Sequence, residues 1–91
     1  MEISTTATFD KLFRSLPAPI QKKAIKKTDL FKGNPFHPSL RIEKLHPKGL
    51  RVWSFRVDIS YRIVFKFLDA NHAEFHFIGH HNQIYDYNIF K

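Results

Sequence analysis

Between residues 53 and 68 of this 91-residue chain, side chains change character at nearly every step. Trp53, Phe55 and Val57 are interleaved with Ser54 and Arg56; Tyr61, Ile63, Phe65 and Phe67 are interleaved with Arg62, Val64, Lys66 and Leu68. Successive side chains on a strand point to opposite faces, so this period of two fits half-buried strands and no helix. Turn-forming residues fill positions 58–60 between the runs and 69–71 after them, which makes the neighbours antiparallel. The same alternation is expected of Phe75 and Phe77 with His76 and Ile78, and of Leu40 and Ile42 with Arg41 and Glu43.

The first third has a different rhythm. Residues 2–7 are rich in Thr and read as a short strand. Thr8 is placed to cap a helix on which Phe9, Leu12, Phe13 and Leu16 share one face. Pro17 ends that helix, and Pro19 suits the first turn of a second one. Ile20, Ala24 and Phe31 face inward there, with Lys22, Lys23, Lys26 and Lys27 outside; Gly33 and Pro35 stop it. A strand, a helical hairpin and an antiparallel sheet make a two-layer α+β domain spanning residues 1–91. A chain this short must pack efficiently, and ten Phe, three Tyr and one Trp supply large apolar areas for the purpose. Trp53 and Tyr61 share the apolar face and read as core.

With the aromatic set against the helices, the other sheet face collects Arg41, Glu43, Ser54, Arg56, Arg62, Lys66 and His76, and in one register His80. A polar outer face is ordinary for a one-sided sheet. Four cations on one face repel, however, and call for a carboxylate or a polyanion. The whole chain points the same way: fifteen Lys and Arg against eight Asp and Glu give a formal net charge of +7. Such charge favours nucleic acid or an acidic protein as partner.

Cysteine is absent, which excludes disulfides, thiolate metal sites and thiol catalysis. The N-terminus has no basic segment followed by an apolar run, and no stretch approaches the ~20 apolar residues of a membrane span, so a cytoplasmic protein without membrane contact is expected. His72, His76 and His80 recur every fourth position. On a helix that would suggest a metal site, but on a strand they lie ~13 Å apart, so neither metal nor cofactor is expected.

At this point the residues resemble a family. Trp53-Ser54-Phe55-Arg56-Val57-Asp58-Ile59-Ser60-Tyr61-Arg62-Ile63-Val64-Phe65 resembles the central hairpin of the RelE/ParE toxin superfamily. Asn34-Pro35-Phe36-His37-Pro38-Ser39-Leu40, Glu43-Lys44-Leu45 and Ile78-Gly79-His80-His81-Asn82-Gln83-Ile84-Tyr85 match it in order and spacing. The resemblance implies a strand, a helical hairpin and a twisted antiparallel sheet. It implies the toxin of a type II toxin–antitoxin system, acting as an mRNA endonuclease on the ribosome, with a cognate antitoxin as partner. It leaves open the ParE branch, which inhibits DNA gyrase, and non-catalytic members that bind RNA.

Metal-free RNA cleavage needs a base near the 2′-OH, an acid near the leaving oxygen and cations around the phosphorane. By the resemblance, Arg62 is the phosphate-binding arginine; the bland alternative is a surface pair with Glu43. Glu43 resembles the general base of one nuclease branch. A carboxylate among cations holds its charge and is a weak base, so orienting the 2′-OH or forming a salt bridge are alternatives. His81 and Tyr85 resemble the C-terminal catalytic pair, with His80 as the register alternative to His81. Arg41, Arg56 and Lys66 would bind RNA on the same face. Lys44, next to Glu43, points to the other face on a regular strand. Lys22, Lys23 and Lys26 are either a solvated helix face or a contact with ribosomal RNA.

Overall fold

The computed structural model describes residues 1–45 and 52–86, except for the side chains of Tyr85 and Asp86. In chain order it has β1 (Glu2–Thr5), α1 (Ala7–Arg14), α2 (Ala18–Gly33), a 3-10 turn (Pro38–Leu40), β2 (Glu43–Lys44), β3 (Val52–Arg56), β4 (Tyr61–Asp69), β5 (His72–His80) and α3 (His81–Asp86). The strands form one five-stranded sheet in the order β1-β5-β4-β3-β2. Strands β2 to β5 are antiparallel, as their short connections require. The sheet as a whole is mixed, because β1 pairs in parallel with β5. The helical hairpin that follows β1 separates it in sequence from its neighbour and allows that direction.

The chain passes from β1 into α1 at Thr6. Its N–H still bonds the Phe75 carbonyl at 3.1 Å, while its hydroxyl accepts from Phe9 N at 3.1 Å. Thr6, in extended conformation, is therefore the N-cap, and Thr8 lies inside the first turn. Pro17 precedes α2 and Pro19 sits in its first turn, as expected. Gln21 Nε2 donates to the Phe13 carbonyl at 2.9 Å and ties the two helices together.

The main core lies between these helices and the sheet. Phe31 is fully buried at its centre; its ring stacks on Phe55 at 4.9 Å and meets Phe65 edge-on at 4.9 Å. Offset and edge-to-face pairs of this kind add to the gain from burial alone. Trp53 and Tyr61 pack against this core, partly buried. Asp58 closes the β3–β4 turn by accepting from Ser60 N and Tyr61 N, both at 2.8 Å.

Two expectations for the strands are also corrected. Phe77 does not join Phe75. Across β4–β5, Phe65 pairs with Phe75 but Val64 pairs with Phe77, leaving His76 as an extra residue. A bulge flips every later side chain to the opposite face, so Ile78 enters the main core and Phe77 leaves it. Phe77 instead joins Leu45, Val52, Val64 and Ile84 in a second apolar cluster. Helix α3, which supplies Ile84, is thereby drawn onto the outer face.

The expected alternation over residues 40–43 is the second. Pro38–Leu40 is a 3-10 turn, Arg41 is left-handed at φ 47°, and β2 comprises only Glu43–Lys44. Leu40 is nevertheless fully buried in the main core.

Candidate functional site

The outer face presents a compact polar group where β2, β3 and β4 meet. Glu43 stands opposite Ser54, and Arg56 directly opposite Arg62. Ser54, though polar, is fully buried. Its hydroxyl accepts from Arg62 Nε at 2.9 Å, and its carbonyl from Arg62 Nη2 at 3.3 Å. The same Nη2 donates to the Arg41 carbonyl at 2.7 Å. The left-handed backbone at Arg41 is what carries that carbonyl at the entry to β2. Glu43 Oε1 lies 3.8 Å from Arg62 Nε, the Arg62 side chain being 11% exposed and that of Glu43 44%.

The guanidinium is thus immobilised by neutral acceptors first and by the carboxylate second. A planar fork bonded in this way is held in one orientation. Arg41 bears on it through the main chain, and its side chain is exposed off a turn, not ranked along a strand.

The histidines separate. His80 pairs with Tyr61, their rings edge to face at 5.9 Å, on the side of the main core. Gly79 takes the outer position opposite Arg62. His80 is therefore corrected from the outer face to a cap: its Nδ1 accepts from Asn82 N at 3.3 Å, and Gln83 Oε1 accepts from His80 N at 3.1 Å. This reciprocal arrangement is a capping box, and the spacing of His80 and Gln83 was its sequence signal. His81 opens α3 beside the β3–β4 turn, its N–H donating to the Ser60 carbonyl at 2.7 Å and its ring stacked on His80 at 4.5 Å. The side chain of Tyr85 lies outside the described residues.

Lys44 faces away from Glu43, with Nζ 5.7 Å from the Trp53 ring centroid. Lys66 is on the outer face opposite Glu74, a carboxylate that the sequence reading missed. Glu74 Oε1 approaches His76 Nε2 at 2.8 Å. His72 goes to Ser4, 2.9 Å from its hydroxyl. The three periodic histidines thus have three different sets of partners. On α2, Lys23 Nζ reaches Asp58 Oδ2 at 3.5 Å. Burial of the Asp58 carboxyl would raise its pKa, but the Ser60 and Tyr61 N–H groups and Lys23 outweigh it and hold the value below the usual 3.8. Lys23 and Lys26 line one groove with Arg56, and Lys22 lies outside it.

No protein-family model and no curated protein matches the sequence. Solved structures do match the fold. The YoeB/ParE toxin from Agrobacterium tumefaciens superposes with a TM-score of 0.73 at 19% identity, over 89% of this chain and 99% of its own. A chain of the RelB–RelE antitoxin–toxin complex from Methanococcus jannaschii gives 0.72 at 21% identity, over 93% and 98%. YafQ from Escherichia coli gives 0.70 at 16% identity, over 92% and 97%. The chain has the RelE-like α+β toxin fold.

Proposed function

We propose that this protein is the toxin of a type II toxin–antitoxin pair and that it cuts RNA at the outer face of its sheet. The fold shared with RelE, YoeB and YafQ supports the toxin reading. The observation that carries the chemistry is Arg62, pinned by Ser54 and the Arg41 carbonyl with Glu43 beside it.

In the proposed reaction the 2′-oxygen attacks the adjacent phosphorus and the bond to the 5′-oxygen breaks. The 2′-OH proton passes to a base, and a proton is delivered to the leaving 5′-oxygen. The products are a 2′,3′-cyclic phosphate and a 5′-OH end. Arg62 stabilises the charge of the phosphorane and Arg56, opposite it, holds a flanking phosphate. Glu43 takes the 2′-OH proton or orients that hydroxyl. His81 is the proposed acid, an imidazole being able both to give and to take a proton, with Tyr85 on the same helix. Arg41 and Lys66 extend the cationic face. The excess of positive charge suits an acidic antitoxin, and translated mRNA on the ribosome is the proposed substrate.

The depth of Arg62 favours a second reading. An arginine whose side chain is only 11% exposed, bonded to Ser54 and Arg41, also serves as a latch between β4 and the entry to β2. In that case the protein acts by binding, on gyrase or on RNA, without cutting. Expression of the wild type and of Arg62→Ala, followed by sequencing of RNA 5′ ends, separates the two. Growth arrest with new 5′-OH ends inside translated messages, lost in the variant, is the expected result. Arrest without new ends would reject the nuclease reading.

A further inference from the structure

We infer that an RNA strand engaged at Arg62 continues across Arg56 into a basic groove between α2 and the end of β3. The identity of the strand rests on the RNA reading above; the groove itself does not. The groove encloses about 580 Å³ and is lined by Lys23, Lys26, Lys27 and Leu30 from α2, with Arg56 and Asp58 opposite. The four α2 residues fall at i, i+3, i+4 and i+7, so a single helix face supplies them.

Four cations meet one carboxylate there. That carboxylate is already engaged, accepting from Ser60 N and Tyr61 N at 2.8 Å and lying 3.5 Å from Lys23. It is in no position to neutralise Lys26, Lys27 and Arg56 as well. The cations are also continuous with the candidate site. Among the described residues β2 pairs with β3 at Trp53 and Ser54, and Leu45 N bonds the Val52 carbonyl, so Arg56 lies past the paired stretch, directly opposite Arg62. Residues paired in this way have Cα atoms ~5 Å apart. Arg62, Arg56, Lys26 and Lys27 thus trace one cationic path from the outer face round the sheet edge to α2.

A concave cationic groove of this size suits the phosphate backbone of one nucleic-acid strand, and the apolar stem of each lysine and Leu30 can lie against a base.

The test uses a fluorescent 2′-O-methyl oligoribonucleotide, which cannot be cut, and reads binding by anisotropy across a salt series. Lys26→Gln with Lys27→Gln removes two groove charges. Lys11→Gln with Lys32→Gln removes two exposed charges elsewhere. The groove variant should bind more weakly and flatten the dependence of log K on log salt by about 1.4, at roughly 0.7 per phosphate contact. The matched variant should keep the wild-type slope. Equal losses in both variants would overturn the groove, as would tighter wild-type binding of duplex RNA or of polyglutamate. Binding as expected, with no new 5′-OH ends in translated messages when the wild type is expressed, would reject the nuclease reading alone; new ends with an indifferent groove variant would reject the groove alone.

Discussion

Arg62 Nε donates to the hydroxyl of Ser54 at 2.9 Å, and Ser54 is completely buried. A serine beneath a sheet face is costly unless its hydroxyl is used, and here it is used by a charge. Glu43, at 3.8 Å, is the more distant partner of the same nitrogen. The neutral hydroxyl is thus the nearer of these two partners of that nitrogen.

Ser54→Ala should lower stability by about 1.5–3 kcal/mol, the range for a hydrogen bond to a charged group whose partner is left behind. Chemical denaturation of the wild type and the variant measures this. Glu43→Gln should cost less than about 1 kcal/mol, since a half-exposed ion pair is weak. A larger loss from Glu43→Gln than from Ser54→Ala would reverse the ranking.

The left-handed backbone at Arg41 (φ 47°) can be tested apart from its side chain. Arg41→Gly removes the guanidinium but suits that conformation, and should leave stability unchanged or raise it by up to about 1 kcal/mol. Arg41→Val keeps a side chain but disfavours the conformation, and should destabilise by about 1–2 kcal/mol. Thermal melts of the pair separate backbone from side chain.

Gly79 faces outward opposite Arg62, under the end of α3. A Cβ there would sit 2.6 Å from Gln83 Oε1 and 2.9 Å from Phe77 Cε1. The amide of Gln83 can swing away, but the Phe77 ring is packed in the second cluster. Gly79→Ala should cost about 1–3 kcal/mol. Adding Gln83→Ala should recover only part of that loss, which a double-mutant cycle would read as a coupling energy.

Asp58 gives a pH dependence with a definite sign. Its pKa in the folded protein lies below the usual 3.8, so its contribution is present in full above that value. It is lost as pH falls through the lower folded value. The stability difference between wild type and Asp58→Asn should be constant from neutrality to about pH 5 and should shrink below the usual carboxylate value. Urea midpoints measured across that range check it, and a difference that grows on acidification would contradict the assignment.

Much of this molecule was legible in the residues themselves. The period of two placed Trp53, Phe55, Ile63 and Phe65 on one face, because alternation is a property of a single strand. The 3.6-residue pattern and the prolines placed both helices, and Ala24 and Phe31 are buried where that pattern set them. The charge excess and its concentration on α2 are likewise local facts. Other features arise only when distant segments meet. The bulge that turns Phe77 outward and Ile78 inward is a relation between β4 and β5, and neither strand shows it alone. The same shift brings Gly79 opposite Arg62 and sends His80 to Tyr61, so tertiary pairing took His80 off the outer face. Glu74 follows from simple alternation with Phe75, and only its pairing with Lys66 needed the register; the left-handed turn at Arg41, whose carbonyl Arg62 binds, is not visible in the alternation of residues 40–43. The residue patterns determined which faces are apolar and where the charge lies. The tertiary structure decided which polar groups meet, since that depends on register, and register is a property of pairs of strands.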